Sequence, residues 1–317
     1  MGCEVITSGY VSMDHVLKIK TPARVGYTSL ISNTSCTTIY PGGCSVNIAY
    51  GLSKLGISAM PVLRVGGDWE AVGLKSFLEE AGVSTEGITV LPDETTSTSF
   101  LVEDSQGEHI TLFYPGSMDA HHFQPLSDNL FHGVRYGVIT VASLPDNKEF
   151  FTKCRLFDIP IVFGMKGDAN AFPHDFLWEI LIHSDIIFTN ESERTSIEYE
   201  FGLKSLEDLL EIGEASILVT TYGVRGSAYW AREGDQRIHG CVPCCDCTAV
   251  VDTTGGGDAY MAGFLYGRIK GFDLSACCQM GSTLSSFVLE KEGCCTGMPH
   301  IEEFMRRYEA FDKCEVK

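Results

Sequence analysis

The sequence predicts an α/β protein with a mainly parallel sheet flanked by helices. Apolar runs of strand length recur at residues 5–8, 60–65, 136–141, 159–163, 186–189 and 217–221, with helix-length amphipathic segments between most of them. Two stretches, 16–40 and 95–113, are rich in Thr, Ser and β-branched residues and alternate polar with apolar, so they are expected as extra strands forming a small sheet beside the main one. The last third shows helical patterns at 258–270, 273–291 and 300–310.

The chain has 317 residues and no low-complexity linker, internal repeat or long charge block, which points to one compact domain with a strand-built appendage. Its 23 Lys and Arg against 42 Asp and Glu give a net charge of −19, a field that repels phosphate backbones and anionic headgroups. Nucleic acid and membrane surfaces are therefore not expected as partners. No apolar run approaches the ~20 residues of a membrane span, and Ile6 stands where a myristoylation signal needs Ser or Thr. The 13 cysteines lie in or beside apolar runs with no signal peptide ahead of them, so a cytoplasmic setting with reduced thiols is expected. Asn33 and Asn190 open glycosylation patterns that have no meaning in such a setting.

Cys241, Cys244, Cys245 and Cys247 include a CxxC spacing. A structural zinc site needs a second, separated pair, and alternate side chains of a strand point to opposite faces, so these thiols are expected to be structural. After a strand-like segment at 248–252, Gly255, Gly256 and Gly257 lead into Asp258 and a run apolar on nearly every side, hence a buried helix. Glycines in a strand-to-helix turn permit left-handed dihedrals and let a ligand touch the backbone amides. Those amides are the unpaired donors at the positive end of a helix, where an anion fits. Asp258 is either a simple cap or a base that accepts the proton of an alcohol attacking a phosphoryl group held over the amides. No Lys-Ser/Thr pair follows, which excludes a Walker A loop, and the late position excludes the dinucleotide fingerprint.

AspThrThrGlyGlyGlyAsp (252–258) closely resembles the DTxGAGD signature of the PfkB/ribokinase family of sugar and nucleoside kinases, with Gly256 replacing the usual Ala. ProGlyGlyCysSerValAsn (41–47) resembles the family's other signature through Gly43 and Asn47. Further matches follow in the family's order at 9–14, 66–73, 114–118, 190–193 and 221–226, and the resemblance spans about 3–308. It implies a single ribokinase-like kinase domain over 1–317, whose strand-rich stretches, roughly 14–40 and 95–118, form a β-sheet lid over the acceptor.

The resemblance also implies an ATP-dependent phosphotransferase with an alcohol acceptor, using Mg²⁺ and a monovalent cation, K⁺. Asp258 would be the base, with the amides of Gly255, Gly256 and Gly257 neutralising charge on the transferred γ-phosphoryl group. Asp14, Gly43 and Asn47 would contact the sugar. Asn190, Thr221, Gly223 and Gly226 would hold ATP, and Asn190 with Glu193 would position Mg²⁺ largely through water, although Asn190 also suits a plain helix cap. Asp252 and Thr254 would offer oxygens to the monovalent cation, with further ligands in GluGlyCysCys (292–295) left open. Many relatives carry Asp-Pro after the strand at 161–163; here PheGlyMetLysGlyAsp (163–168) leaves Lys166 as either a phosphate partner or a solvated loop lysine.

Met118 stands where ribokinase-like sequences carry Asn, with Phe100, Phe113 and Tyr114 nearby, and this resembles the prokaryotic nucleoside (adenosine-type) kinases. The expected acceptor is the ribose 5′-hydroxyl of a nucleoside, with Phe100, Phe113 and Met118 around the base. A kinase of a free sugar or sugar phosphate, ribokinase- or fructokinase-like, is the alternative. A non-catalytic sensor on the same fold is opposed by the retained Asp258. A homodimer formed through the lid is also expected.

Overall fold

The computed structural model describes residues 2–106, 109–234 and 236–315. In chain order the elements are β1 (Val5–Ser8), β2 (Ser12–Lys18), β3 (Tyr40–Gly42), α1 (Cys44–Lys54), β4 (Ala59–Gly66), α2 (Leu74–Glu80), β5 (Ile88–Leu91), β6 (Thr98–Glu103) and β7 (His109–Tyr114). There follow β8 (Tyr136–Ile139), α3 (Leu144–Leu156), β9 (Ile161–Gly164), α4 (His174–His183), β10 (Ile186–Asn190), α5 (Glu191–Phe201), α6 (Leu209–Ile212) and β11 (Ile217–Thr221). The chain continues through β12 (Ser227–Glu233), β13 (Gln236–Val242), α7 (Gly256–Lys270), α8 (Leu274–Leu289) and α9 (Ile301–Glu315).

Nine strands form the main sheet in the order β13-β12-β11-β10-β9-β8-β1-β4-β5. From β5 through β11 every pairing is parallel, and all these strands except the half-exposed edge strand β5 are buried almost throughout, because helices cover both faces. One core joins the sheet to α1, α7 and α8 through Leu52, Phe264 and Leu284, while Phe150, Phe176 and Ile180 of α3 and α4 fill the other face. The order runs from β1 to β4 and β5 on one side and from β8 to β11 on the other, so β1 and β8 flank a topological switch point. Ligands of open α/β sheets bind beyond the carboxyl ends of the strands at such a point.

A second sheet, β3-β2-β6-β7, stands over that end. Its register aligns Asp14 with Ser99 and Ser99 with Phe113, and the neighbouring row aligns His15, Phe100 and Leu112. Because side chains alternate across a strand, the two rows face opposite ways.

The structure departs from the sequence reading in four places. Residues 248–252 form no strand: Val250 and Val251 are 58% and 46% exposed, and the segment is pinned to the end of α8, with Val251 N–H donating to Leu289 O at 2.8 Å. The cysteine segment is a strand only as far as Val242, so Cys244, Cys245 and Cys247 lie in the loop that follows. Between β2 and β3 the chain is mostly irregular, with one bridge between Ile19 and Ile31, since Pro22 and Gly26 interrupt the β-branched pattern. Finally, β12 and β13 add an antiparallel pair at the edge of the parallel sheet; the short apolar run at 228–231 in β12 was not among the strands expected, and β13, exposed or half-buried up to Val242, has no such run.

Candidate active site

The three glycines at the start of α7 each meet a different requirement. Gly255 caps the helix at φ 78°, and a Cβ there would lie 2.8 Å from that of Cys294. At Gly256 a Cβ would touch Ser285 and Leu289 at 3.3 and 3.4 Å, so the family's alanine needs only a small shift. Gly257 has nothing within 4 Å of the added carbon and leaves its amide reachable from the cavity. Across from this turn, Gly43 caps α1 at φ 98°, with Tyr10 O where a Cβ would sit. Two helix N-termini therefore open on one space, concentrating unpaired N–H donors.

Asp258 Oδ2 accepts a hydrogen bond from Asn47 Nδ2 at 2.7 Å, and Asn47 Oδ1 accepts one from the Cys295 thiol at 3.1 Å. This second contact sets which way the Asn47 amide points, so that its NH₂ meets the carboxylate. Asp14 is buried on β2; its Oδ2 accepts from the Cys294 thiol, and its Oδ1 is buried without a partner. An orphan acceptor of this kind costs free energy until a donor arrives, which marks a place for a ligand hydroxyl.

Three cavities meet at the glycine turn. One of about 400 Å³ lies under the lid, between Asp14 and Asn47 on one side and Tyr10, Leu101 and Phe113 on the other. A central space of about 230 Å³ at the ends of β8 to β11 is bordered by Thr140, Gly164, Asn190, Glu193, Gly257 and Asp258. The third, about 480 Å³, is lined by Thr221, Gly223, Gly226, Cys244, Cys247 and Ser285. Lys166, Gly255 and Asp258 border the first two, and Thr221 and Gly257 join the second to the third.

Burial raises the carboxyls of Asp258, Asp14 and Glu193 above the usual range. The Asn47 hydrogen bond and Lys166 oppose this at Asp258, donors from Ser12 and Cys294 oppose it at Asp14, and the Asn190 N–H opposes it at Glu193. Lys166 is held above its usual range by Cys44 and by Asp258 and Asp14, against burial. Burial pushes Cys44 far up, so near neutral pH that sulfur is an uncharged thiol and the carboxylates are the charged neighbours of Lys166.

Asn190 and Glu193 form a reciprocal capping box at the start of α5, each side chain accepting the other's backbone N–H at 2.8 Å. Both also border the central cavity, so their oxygens are a hard-ligand set suited to Mg²⁺. Asp252 Oδ1 accepts from the N–H and hydroxyl of Thr254, and its Oδ2 accepts from Gly293 N–H at 3.0 Å. The carboxylate thus ties the glycine turn to the loop after α8, and its remaining lone pairs suit a hard monovalent cation.

Two of the expected acceptor contacts do not lie on the cavity. Phe100 belongs to the outward row of the lid and stacks on His15 at 5.1 Å. Met118 turns inward through the short 3₁₀ segment Gly116–Met118, is 1% exposed, and accepts the Arg64 N–H at its sulfur. Phe113 faces the cavity and packs on Tyr10 at 4.8 Å. Tyr10 and Cys44 lie inside noted motifs without being singled out there, and Cys294 and Cys295 belong to the 292–295 loop noted for the monovalent cation; only the lid register and the closure of that loop bring them to Asp14, Asn47 and the acceptor cavity. Among the described residues, the one group of His, Cys, Asp or Glu ligand atoms close enough to share an ion is Glu94, His121 and His122, away from the 241–247 cysteines.

An acceptor cavity beneath a strand lid, joined through amide-rich helix starts to a second cavity, is the architecture of a small-molecule kinase. Residues 4–301 match the model of the pfkB family carbohydrate kinases, and the chain belongs to that family. It is 30% identical over 275 residues to a nucleoside kinase of Methanocaldococcus jannaschii, covering 85% of this chain and 86% of that one. A nucleoside kinase of Methanothermobacter thermautotrophicus is 29% identical over 273 residues, covering 85% and 84%. The crystal structure of the M. jannaschii nucleoside kinase, an archaeal member of the ribokinase family, aligns with a TM-score of 0.83 at 26% identity, over 98% of this chain and all of that one. The Burkholderia thailandensis nucleoside kinase in complex with inosine shares the fold at TM-score 0.83 and 22% identity, over 97% and 98%. The chain is an ATP-dependent kinase of the sugar and nucleoside class, with the ribokinase-like fold. Among the described residues no helix is long and apolar enough to cross a membrane.

Proposed function

We propose that the chain phosphorylates the 5′-hydroxyl of a nucleoside's ribose, with ATP as donor. The observation that carries this reading is the two-faced cavity under the lid: Asp14, with its partnerless Oδ1, and Asn47 suit sugar hydroxyls, while Tyr10, Leu101 and Phe113 suit a flat base. Relatives named nucleoside kinase over most of the chain support it.

In this reading Asp258 takes the proton of the attacking hydroxyl. Alcohols are too weakly acidic to be deprotonated beforehand, so the proton moves late and positioning supplies most of the catalysis. The amides of Gly255, Gly257 and Asp258 donate to the charge that develops on the transferred group, whereas the Gly256 N–H is already given to Thr253 O at 3.2 Å. Asn47 orients Asp258, and Lys166 offsets negative charge between the acceptor and central cavities. Thr221, Gly223 and Gly226 border the donor space, and Cys244 and Cys247 face it too. Mg²⁺, held by Glu193 and Asn190 through water, would supply charge neutralisation on the donor phosphates, and Asp252 with Thr254 would hold K⁺ beside the turn.

The outward row of the lid leaves Phe100, Leu112 and Tyr114 at 39%, 58% and 53% exposure, which supports a homodimer through this sheet, testable by light scattering. A panel of nucleosides, ribose, fructose and sugar phosphates with ATP and Mg²⁺, read by ADP release, tests the substrate. A clearly higher kcat/KM for a free sugar or sugar phosphate than for every nucleoside overturns this reading.

A further inference from the structure

At the root of the lid, outside the three cavities around Asp258, the fold gathers two histidines and a carboxylate. His121 and His122 end the 3₁₀ turn Ala120–His122, and Glu94 lies in the turn between β5 and β6. One ring nitrogen from each histidine and a carboxylate oxygen of Glu94 lie within 4.8 Å of one another. The two imidazole centroids are only 3.7 Å apart.

Two further observations point to a ligand. His122 Nε2 lies 3.1 Å from Glu94 Oε1, yet that nitrogen is buried with no hydrogen bond. Asp119 Oδ1 accepts both the His121 backbone N–H at 3.1 Å and a contact from His121 Nδ1 at 2.6 Å. A carboxylate bonded to one imidazole nitrogen fixes the ring and makes the other nitrogen a better electron-pair donor, as in carboxylate–histidine–metal arrangements. The segments carrying these groups are already held together: Gly67 N–H donates to Glu94 O at 3.0 Å, and Ser117 N–H donates to Thr95 O at 2.9 Å. The Asp68 carboxylate accepts both the N–H and the hydroxyl of Thr96 at 2.8 Å. A ligand set held this way loses little entropy on binding.

We infer that Glu94, His121 and His122 form a site for one divalent d-block ion of the zinc type, with Asp119 as the positioning residue for His121. Two imidazoles and a carboxylate are a common zinc donor set, whereas Mg²⁺ takes oxygen ligands. Solvent supplies the remaining coordination, since the His121 side chain is 67% exposed. The ion clasps the 3₁₀ turn to the loop that becomes β6, so it fastens the root of the lid and takes no part in phosphoryl transfer. This inference does not depend on the substrate assigned to the kinase cavity.

The test is to strip the full-length protein of metal and titrate it with Co²⁺, then with competing Zn²⁺. The expected result is one Co²⁺ with the weak visible bands of nitrogen and oxygen ligation, displaced by one Zn²⁺, together with a rise in thermal midpoint on zinc binding. His121→Ala, at an exposed side chain, and Glu94→Gln should each weaken binding at least about tenfold, and Asp119→Asn about 10–100-fold. Mg²⁺-dependent kinase turnover should be unchanged in all three. Thiolate-to-cobalt charge-transfer bands would place the metal on the cysteines and overturn the inference. Absence of binding at micromolar metal, or equal affinity in the folded variants, would do the same.

Discussion

Asp258→Asn is the sharpest test of the kinase chemistry. Asn is nearly isosteric, and its carbonyl oxygen can accept the Asn47 Nδ2 hydrogen bond seen at 2.7 Å to Asp258. Turning a charge-assisted bond into a neutral one costs about 1 kcal/mol, and losing the carboxylate's attraction to the helix start costs a further ~0.3–1 kcal/mol. Burial already disfavours the charged carboxyl, so neutralising it recovers part of that cost. The net change in stability is expected to be about 1 kcal/mol or less, a few degrees at most in thermal midpoint. The mutant nevertheless has no proton acceptor. General-base catalysis contributes about 10²–10⁴-fold, equivalent to roughly 2.7–5.4 kcal/mol in the barrier. ADP-release kinetics, equilibrium binding of ATP and nucleoside, and thermal unfolding on the same mutant separate chemistry from folding. The expected pattern is retained binding, a nearly unchanged midpoint, and kcat down by at least about two orders of magnitude. A folded mutant turning over within a few-fold of the parent would show that Asp258 serves only the structure of the first turn of α7, and the proposed mechanism would be wrong at its centre.

Glu193→Gln keeps the capping geometry with Asn190, so stability should hold while the Mg²⁺ concentration for half-maximal activity rises; superimposable magnesium titrations would remove Glu193 from the metal site. Phe113→Ala, which removes the ring packed on Tyr10, should raise the nucleoside KM about tenfold from the loss of about 1.5 kcal/mol of stacking, whereas Phe100→Ala on the outward row should leave KM unchanged; equal effects would contradict the lid register. Because burial raises the Asp258 carboxyl and a base acts only when deprotonated, kcat should fall on acidification through a pKa above the ordinary ~3.9 of Asp, and an acid limb at or below that value would contradict the assignment. Cys295→Ala frees the Asn47 amide to turn; losing a hydrogen bond worth about 1 kcal/mol should lower kcat several-fold with little change in thermal midpoint, and unchanged kcat would show that the thiol orients nothing.

Much of the frame was legible because its signals are local. The inner parallel strands are buried on both faces and so stand out as mainly apolar runs, and those at 5–8, 186–189 and 217–221 all became strands, whereas the half-exposed edge strand β5 was not among them. The helices of the last third were equally readable, and α7 is buried on nearly every side as its composition required. The signals failed where β-branched residues serve something other than a sheet. Val250 and Val251 look like a strand but lie exposed against the end of α8, because β13 already forms the sheet edge.

The sequence by itself determined the chemistry available at the glycine turn: amides without side chains in front of them, followed by a carboxylate at a helix start. It also determined the polar–apolar alternation that made a lid sheet expected. Tertiary structure alone decided which row of that sheet faces inward, since a shift of one residue in register would exchange Phe113 for Phe100. It also decided that Met118 enters the core, and that Cys294 and Cys295, 280 and 248 residues from their partners, reach Asp14 and Asn47. The physical reason is range: propensity and periodicity act over a few residues, whereas which distant side chains meet depends on how strands register and loops close, which only the packed chain specifies.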